Sequence, residues 1–283
     1  MTRWPTRIAG LAATLALGGG AAYGTGAAVA GSPPSSLPAP AHRPGDVREP
    51  LNIADLVTQI DRYYGGTKNA DGSWSAAAES PYTRDVRRVE QAARKHIAEA
   101  ARKHTDETAR KGARRGGKPA VVLDVDDTML LTYDYEKSTN FTYAVKSFTD
   151  YVRKADRGPV HGMPELVNYA KGKGMEIFFL TASAEDVRAP FAKNLAKVGV
   201  RTPLDRAHLF LKDKVDPPAY LRRACGAGDA WTCDGARYKA ATRKYIESRG
   251  YDLVASIGDQ ASDFPGGHAD RTFKLPNPMY RVD

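Results

Sequence analysis

Residues 121–128 read Val-Val-Leu-Asp-Val-Asp-Asp-Thr, an apolar run that stops on two aspartates separated by one residue. A parallel strand that is buried on both faces is continuously apolar, so this run predicts an inner strand of an open α/β sheet. Such sheets bind their ligands beyond the carboxyl ends of the strands. Asp124 and Asp126 are therefore expected where a reaction would take place.

The spacing of Asp124 and Asp126 limits the chemistry available to them. Residues i and i+2 of a strand share a face, so both carboxylates point into one site unless the backbone turns between them. Two carboxylates that close repel each other unless a cation or a shared proton intervenes. The pair thus indicates either a bound metal or an acid beside a nucleophile. Taken alone, it also allows an Asp-rich turn that only ends a strand and caps the next helix.

Apolar residues at helical spacing predict two helices before this strand. The first runs from Ile53 to Tyr63 and ends at the pair Gly65-Gly66, and the second is a long basic helix within residues 84–118. The apolar stripe of the second helix consists of Val86, Val89, Ala93 and Ile97 with Ala100 or Ala101. Its opposite, basic face is predicted to be solvated.

After the first strand, the chain alternates between helical and strand patterns. The predicted helices lie at residues 143–154, 164–173, 185–197 and 235–248, and the predicted strands at 175–181, 208–211, 253–257 and 272–275. This alternation predicts an α/β fold with a doubly wound parallel sheet.

The N-terminal segment has the pattern of an export signal. Arg3 and Arg7 precede an apolar stretch at residues 8–17, and Ala-Val-Ala at 28–30 forms a cleavage site. The stretch is short for a permanent span, which is the alternative, so no stable membrane anchor is expected. We predict a signal peptide at 1–30, a flexible Pro/Ser/Ala-rich linker at 31–50 and a secreted or extracytoplasmic domain at 51–283. Within it, residues 51–117 would form an N-terminal helical layer and 118–283 the catalytic core.

Cys225 and Cys233 are the two cysteines of the chain. In an exported protein, such a close pair predicts a disulfide, with two free thiols as the alternative. The formal net charge is +9, but no nucleic-acid-binding motif accompanies it, so nucleic acid is not an expected partner. The sequence leaves the oligomeric state open.

Further polar residues fall at the ends of predicted strands or in the helices beside them. They are Thr181, Lys239, and Asp259 and Asp263 in the run Gly-Asp-Gln-Ala-Ser-Asp at 258–263. Together with the two aspartates of the first strand, their order and spacing resemble the four motifs of the haloacid dehalogenase-like hydrolase superfamily.

This resemblance implies catalytic roles for four residues. Asp124 would be the nucleophile, and Asp126 the general acid and base. Thr181 and Lys239 would bind the phosphoryl group of a small phosphorylated substrate. Such roles suit the residue types, because a carboxylate can attack phosphorus and a lysine can neutralise the charge of the transferring oxygens.

The resemblance also implies a magnesium site. Its ligands would be Asp124, the backbone carbonyl of Asp126, Asp259 and Asp263, the last directly or through water. Mg²⁺ prefers a few hard oxygen ligands and retains several waters, which this set can satisfy. Gly258 is expected to permit a tight turn before Asp259.

A narrower resemblance rests on three features. These are Tyr238-Lys239 followed by Arg243, the Gly-Asp-Gln-x-Ser-Asp loop, and the tail Phe-Lys-Leu-Pro-Asn-Pro-Met-Tyr at 273–280. They look like the acid phosphatase branch that includes plant vegetative storage proteins and secreted bacterial acid phosphatases. The resemblance implies a Rossmann-like core with a small helical cap. Aromatic residues in the expected cap would either pack it or line the substrate site; they are Tyr133, Tyr135, Phe141, Tyr143, Phe148 and Tyr151.

The sequence therefore predicts a secreted, Mg²⁺-dependent acid phosphatase that works through an aspartyl-phosphate intermediate. A phosphotransferase would use the same residues with an alcohol as acceptor instead of water. A catalytically idle storage or binding protein of the same fold is the other alternative. Retention of the complete carboxylate and lysine set argues against an idle protein, because a scaffold does not require it.

Overall fold

The computed structural model of the chain describes residues 50–111 and 117–282. The signal peptide predicted at 1–30 and the linker predicted at 31–50, except Pro50, lie outside these residues. Among the helices of the described part, none is both long and apolar enough to cross a membrane.

A five-stranded parallel sheet forms the centre of the fold. In chain order its strands are β3 (Lys118–Leu123), β4 (Glu176–Ala184), β5 (Leu209–Lys212), β6 (Tyr251–Gly258) and β7 (Arg271–Lys274), after a short antiparallel hairpin of β1 (Thr67–Lys68) and β2 (Trp74–Ser75). The order across the sheet is β5-β4-β3-β6-β7. The α/β class and the parallel sheet are as predicted, whereas the hairpin was not predicted because its strands are two residues long.

Eight α-helices accompany the strands in the described part of the chain. They are α1 (Ile53–Tyr64), α2 (Pro81–Lys111), α3 (Tyr133–Ser138), α4 (Val145–Arg153), α5 (Met163–Gly172), α6 (Arg188–Lys197), α7 (Ala219–Cys225) and α8 (Gly235–Ser248). Six match predicted helices to within a few residues. The sequence did not predict α3 and α7, which have six and seven residues, too few for a helical period to become visible.

Both faces of the sheet are covered, as its continuously apolar strands require. Val121 and Leu123 of β3 belong to one buried cluster, which includes residues of α2, α5 and α6. Ala120 and Val122 belong to a second cluster with residues of α7 and α8. Successive residues of a strand point to opposite faces, so one apolar run supplies both cores. This arrangement is the doubly wound fold that the alternation predicted.

The strand order places a crevice beside β3. From β3 the chain adds β4 and β5 on one side and then returns to add β6 and β7 on the other. Open α/β sheets bind ligands where the strand order reverses, at the carboxyl ends of the strands. Here that point lies between the ends of β3 and β6, at Leu123 and Gly258.

A disulfide joins Cys225 and Cys233, as predicted. It links the last residue of α7 to the segment before α8. The helix α8 then begins after Asp234, whose side chain accepts a hydrogen bond of 2.7 Å from the backbone N–H of Arg237. This cap satisfies one of the free N–H groups of the first turn, and it fixes the start of the helix that carries Lys239.

Candidate active site

Three buried carboxylates meet at the carboxyl ends of β3 and β6. One oxygen from each of Asp124, Asp259 and Asp263 lies within 4.8 Å of the other two. The three residues are 7%, 1% and 3% exposed, so water screens their repulsion poorly. These residues are three of the four predicted metal ligands, although 139 positions separate the first from the last.

Lys239 is the cation at the centre of this cluster. It lies on α8 and forms ion pairs with Asp124 and, at 2.5 Å, with Asp263. Burial opposes a charge on this amine, but the two carboxylates outweigh that effect and raise the pKa of Lys239. The lysine is therefore held in its charged form beside the proposed nucleophile.

A single lysine does not balance the negative charge of three carboxylates. Burial and the neighbouring carboxylates raise the pKa of Asp124 even though Lys239 opposes the shift. Burial and the Asp263 carboxylate likewise raise the pKa of Asp259. Converging hard oxygens that resist ionisation fit a divalent cation, because such an ion relieves the repulsion and is coordinated by the same oxygens.

The C-terminal tail orients Asp259. The Asn277 side chain donates to Asp259 Oδ2 at 2.8 Å, and Lys274 donates to its backbone carbonyl at 2.8 Å. Gln260 donates to the same carboxylate oxygen at 2.6 Å. These bonds fix the rotamer of a candidate metal ligand. They give the Lys-Leu-Pro-Asn sequence of the tail a structural purpose that the resemblance alone did not supply.

Gly258 and Arg243 hold the loop that carries Asp263. A Cβ atom on Gly258 would lie 2.2 Å from Asp263 Oδ2, so the glycine is required by close approach. Its φ is not among the positive values found at other glycines, which corrects the expectation that it serves a tight turn. The buried Arg243 guanidinium donates to the backbone carbonyls of Asp263, Pro265 and Gly267.

Asp126 is paired separately from the cluster. The buried Arg157 donates to Asp126 Oδ1 at 2.6 Å, and the Thr181 hydroxyl donates to Oδ2 at 2.9 Å. Ser183 adds a longer contact of 3.5 Å to Oδ2. Thr181 therefore lies beside the predicted acid. The carboxylate of Asp126 is outside the group of three, so its predicted part in metal binding would be limited to its backbone carbonyl.

A turn after β3 separates the two aspartates. The strand ends at Leu123, and the backbone bends at Val125, between the two aspartates. Asp127, which follows them, adopts a left-handed backbone conformation with φ of 51°. The Asp127 carboxylate accepts hydrogen bonds from Thr132 N–H at 2.9 Å and from Tyr280 O–H at 2.7 Å. Because the backbone bends here, Asp124 and Asp126 do not lie on one face of a strand. The prediction that both carboxylates point into one site had excepted this case.

A cavity of about 520 Å³ connects the two carboxylate groups. Asp124 and Asp126 line one part of it, and Phe141, Tyr143 and Phe148 line another. The remaining aromatic residues of this region, Tyr133, Tyr135 and Tyr151, are buried. Three of the six aromatic residues are therefore packed in the interior, and the other three line the cavity.

Several residues that shape this site were not among the predicted site residues, chiefly Arg157, Asp127, Asn277 and Glu136. Arg157 and Glu136 carry no motif signal, because each reaches the site only through the folding of residues 133–172. Asp127 follows Asp126 directly. The available clue in the sequence was the residue type, since aspartate tolerates a left-handed backbone better than most residues. Asn277 lay within the quoted tail but had no assigned contact.

Comparison with known proteins places these residues in a family. Residues 66–283 match the family described as HAD superfamily, subfamily IIIB (acid phosphatase). The chain is 35% identical over 170 residues to the stem 28 kDa glycoprotein of Glycine max, covering 58% of this chain and 61% of that protein. It is 28% identical over 170 residues to acid phosphatase 1 of Solanum lycopersicum, covering 59% and 60%. The alignments thus span less than two thirds of the length of these relatives.

A solved structure supports the same architecture. The class C acid phosphatase from Bacillus anthracis superposes with a TM-score of 0.53 and 21% sequence identity, covering 81% of this chain and 86% of that chain. At this identity, the likeness concerns the fold.

Proposed function

Because the chain belongs to subfamily IIIB of the HAD superfamily, the acid phosphatase subfamily, we propose that it hydrolyses small phosphomonoesters with the help of bound Mg²⁺. The observation that carries this proposal is the division of its carboxylates into two groups. Asp124, Asp259 and Asp263 converge around Lys239, whereas Asp126 is held apart by Arg157 and Thr181. Metal-assisted nucleophilic attack and proton transfer require such a separation of tasks.

In the first step, an oxygen of Asp124 attacks phosphorus and displaces the alcohol. The new Asp124 O–P bond forms as the ester P–O bond breaks, which leaves an aspartyl phosphate. Asp126 gives its proton to the departing oxygen. Lys239 stabilises the charge that accumulates on the transferring oxygens.

In the second step, Asp126 takes a proton from water as that water attacks phosphorus. The Asp124 O–P bond then breaks, and the products are inorganic phosphate and the free Asp124 carboxylate. Arg157 and Thr181 support this double duty because their hydrogen bonds fix the orientation of the Asp126 carboxylate. To donate to a phosphoryl oxygen beside Lys239, the Thr181 hydroxyl would turn its single proton away from Asp126, whose orientation Arg157 would then maintain.

Asp124, the backbone carbonyl of Asp126, Asp259 and Asp263 would hold Mg²⁺. When bound, the ion neutralises the carboxylates and so allows an anionic phosphate to approach them. The hydrogen bonds from Gln260 and Asn277 support this assignment because they orient Asp259 toward the cluster.

We also propose that the protein acts outside the cytoplasm. The N-terminal export pattern supports this location, as does the disulfide between Cys225 and Cys233, because disulfides persist in oxidising compartments. Removal of residues 1–30 would release the mature chain. The intact mass of the exported protein tests the cleavage.

Hydrolysis assays with the purified mature protein test the activity. Phosphate release from a panel of phosphomonoesters is measured with Mg²⁺, with excess EDTA, and after Mg²⁺ is restored. We expect turnover that EDTA abolishes and Mg²⁺ recovers. Turnover that persists in excess chelator would refute the metal assignment, and absence of turnover with every ester would favour the storage or binding alternative.

The phosphotransferase alternative is tested in the same assay. Glycerol is added as an acceptor, and glycerol phosphate is quantified beside inorganic phosphate. A hydrolase releases phosphate as the main product at every glycerol concentration. Predominant glycerol phosphate would instead identify a phosphotransferase.

A further inference from the structure

One buried carboxyl group in the cavity has no assigned task. Glu136 lies on α3, is 4% exposed and lines the same cavity as Asp124 and Asp126. Its side chain makes no hydrogen bond or ion pair with any residue among those that the structure describes. Burial raises the pKa of Glu136 to about 7.

The aspartates of the site all have partners. Asp126 is bound by Arg157, Asp127 by Tyr280, and Asp259 by Asn277. A buried polar group without a partner costs free energy. Glu136 shares with several of these aspartates a cavity large enough for a ligand, but it alone among them has no partner within the described residues. This combination is expected of a group whose partner arrives with the substrate.

The surroundings of Glu136 indicate which part of a substrate would reach it. Phe141, Tyr143 and Phe148 line the cavity beside it, and the rings of Tyr143 and Phe148 lie 5.6 Å apart between centroids. The Asp126 carboxylate contributes, after burial and Tyr135, to a raised pKa of Tyr143, so this aromatic surface lies near the proposed acid. The leaving alcohol departs on the side of the acid.

We propose that Glu136 determines specificity by accepting a hydrogen bond from a hydroxyl group on the leaving alcohol, whose apolar part packs against Phe141, Tyr143 and Phe148. This inference rests on the proposed phosphatase function. It holds whether Glu136 is ionised or protonated, because both forms retain an accepting oxygen. The favoured substrate class is a phosphomonoester of an alcohol that has an aromatic or other apolar body and a further hydroxyl.

Matched pairs of esters test this proposal. The pairs are 4-(hydroxymethyl)-, 4-(2-hydroxyethyl)- and 4-(3-hydroxypropyl)phenyl phosphate, each with the 4-ethyl, 4-propyl or 4-butyl ester of the same size. Each pair shares a phenol leaving group, and three chain lengths cover different distances to Glu136. An apolar wall alone favours the alkyl ester, so a preference for the hydroxyl requires a polar partner.

We expect the parent protein to favour the hydroxyl ester in at least one pair by about tenfold in kcat/KM, since a site that hydrogen-bonds a hydroxyl rejects the analogue that lacks it. Glu136→Gln keeps an accepting oxygen and should retain most of that ratio. Glu136→Leu lacks one and should bring the ratio to about one or below. Glu165→Gln, at an exposed position on α5, should keep the parent ratio.

The outcomes separate this inference from the function beneath it. If the parent protein hydrolyses both esters in every pair with a kcat/KM ratio below about two, the role of Glu136 is refuted and the phosphatase proposal stands. The same holds if Glu136→Leu retains the ratio of the parent protein. If none of the six esters is hydrolysed, the proposed phosphatase function itself is refuted. If Glu136→Leu does not fold, a parent ratio below about two in every pair still refutes the role of Glu136.

Discussion

The floor and the wall of the cavity differ in how their charges are satisfied. The floor is defined as Asp124, Asp259, Asp263 and Lys239. Lys239 pairs with Asp124 and Asp263, and Asp259 accepts hydrogen bonds from Gln260 and Asn277. The wall, defined as Glu136, Phe141, Tyr143 and Phe148, has one carboxyl and no partner for it among the described residues. The floor comes from the ends of β3 and β6 and from α8, while the wall comes from the segment around α3 and α4.

This difference indicates a division of labour. A charge network with several mutual partners has one favoured geometry, and loss of any member leaves buried charges unpaired. The wall depends mainly on apolar packing, which tolerates substitution of similar volume. We therefore expect the floor to determine whether the reaction occurs and the wall to determine which alcohol is accepted as the leaving group.

Loss of the nucleophile should lower kcat more than any other change in the floor. Asp124→Asn keeps the size of the side chain but removes its nucleophilic charge, so kcat should fall by about 10⁴-fold or more. Steady-state kinetics with 4-nitrophenyl phosphate measures the loss, and circular dichroism tests whether the fold survives. The surface variant Asp150→Asn serves as a control. A near-parent rate in Asp124→Asn, with mass spectrometry excluding deamidation to Asp, would end the covalent mechanism.

Loss of a metal ligand from the floor should lower the affinity for Mg²⁺. Asp259→Asn replaces a carboxylate that Gln260 and Asn277 orient, so Mg²⁺ affinity should fall by more than about 100-fold. Isothermal titration calorimetry measures binding, and activity at saturating Mg²⁺ shows whether excess ion compensates. Unchanged affinity would remove Asp259 from the metal site.

Arg157 tests whether Asp126 acts independently of the floor. Arg157→Met removes the donor to Asp126 and should lower kcat about 10- to 100-fold for alkyl phosphates. The effect should be only a few-fold for 4-nitrophenyl phosphate, whose leaving oxygen needs little protonation. Asp126→Asn should show the same contrast with a larger loss. Equal losses on both esters in Arg157→Met would mean that Arg157 has a structural role only.

The pH dependence of stability tests the unpaired carboxyl of the wall. Burial raises the pKa of Glu136 from 4.5 to about 7, so the folded protein retains a proton that the unfolded chain releases in this interval. This contribution to stability is complete below pH 4.5 and is lost as pH rises through 7. Relative to the parent, Glu136→Gln should gain at most about 3 kcal/mol in free energy of unfolding between pH 4 and pH 8. Urea denaturation in EDTA measures the difference, and a constant difference across this range would contradict it.

The disulfide should matter least to the chemistry. Its cysteines are eight positions apart, and closure of so short a loop stabilises a fold by roughly 2–3 kcal/mol. The double variant Cys225→Ser/Cys233→Ser should lose about that much in urea denaturation at constant pH. Its kcat/KM should equal the parent value under native conditions. A large loss of activity would show that the segment before α8 needs the bridge to position Lys239.

The carboxylates of the floor were predictable because they follow the ends of strands with strong local patterns. The apolar run before Asp124 specifies a buried strand, and the loop 258–263 follows another. Parallel strands of one sheet bring their carboxyl ends to one edge. Thr181 and Lys239 were found through the same order of motifs, and the structure brings both to the site.

The wall and the partners of Asp126 were not predictable in this way. Arg157 lies in a connection between α4 and α5, and its contact with Asp126 spans 31 positions. Glu136 lies on a helix of six residues, which shows no usable period. The sequence offered packing and ligand contact as alternatives for the aromatic residues, and only burial in the folded chain distinguishes them.

By itself, the sequence determined the α/β class, the doubly wound parallel sheet, the disulfide pair and the set of charged residues that meet at the strand ends. The class and the sheet follow from hydrophobic periodicity and from the regular geometry of parallel strands, which act over short stretches of chain. The disulfide followed from a close cysteine pair in a chain with an export pattern, and the charged set followed from its resemblance to known motifs. Only the tertiary structure decided that Asp126 is paired with Arg157 away from the cluster, that Gly258 is required by the approach of Asp263, and that Glu136 faces the cavity without a partner. Such contacts depend on where loops and short helices pack, and no local pattern encodes that placement.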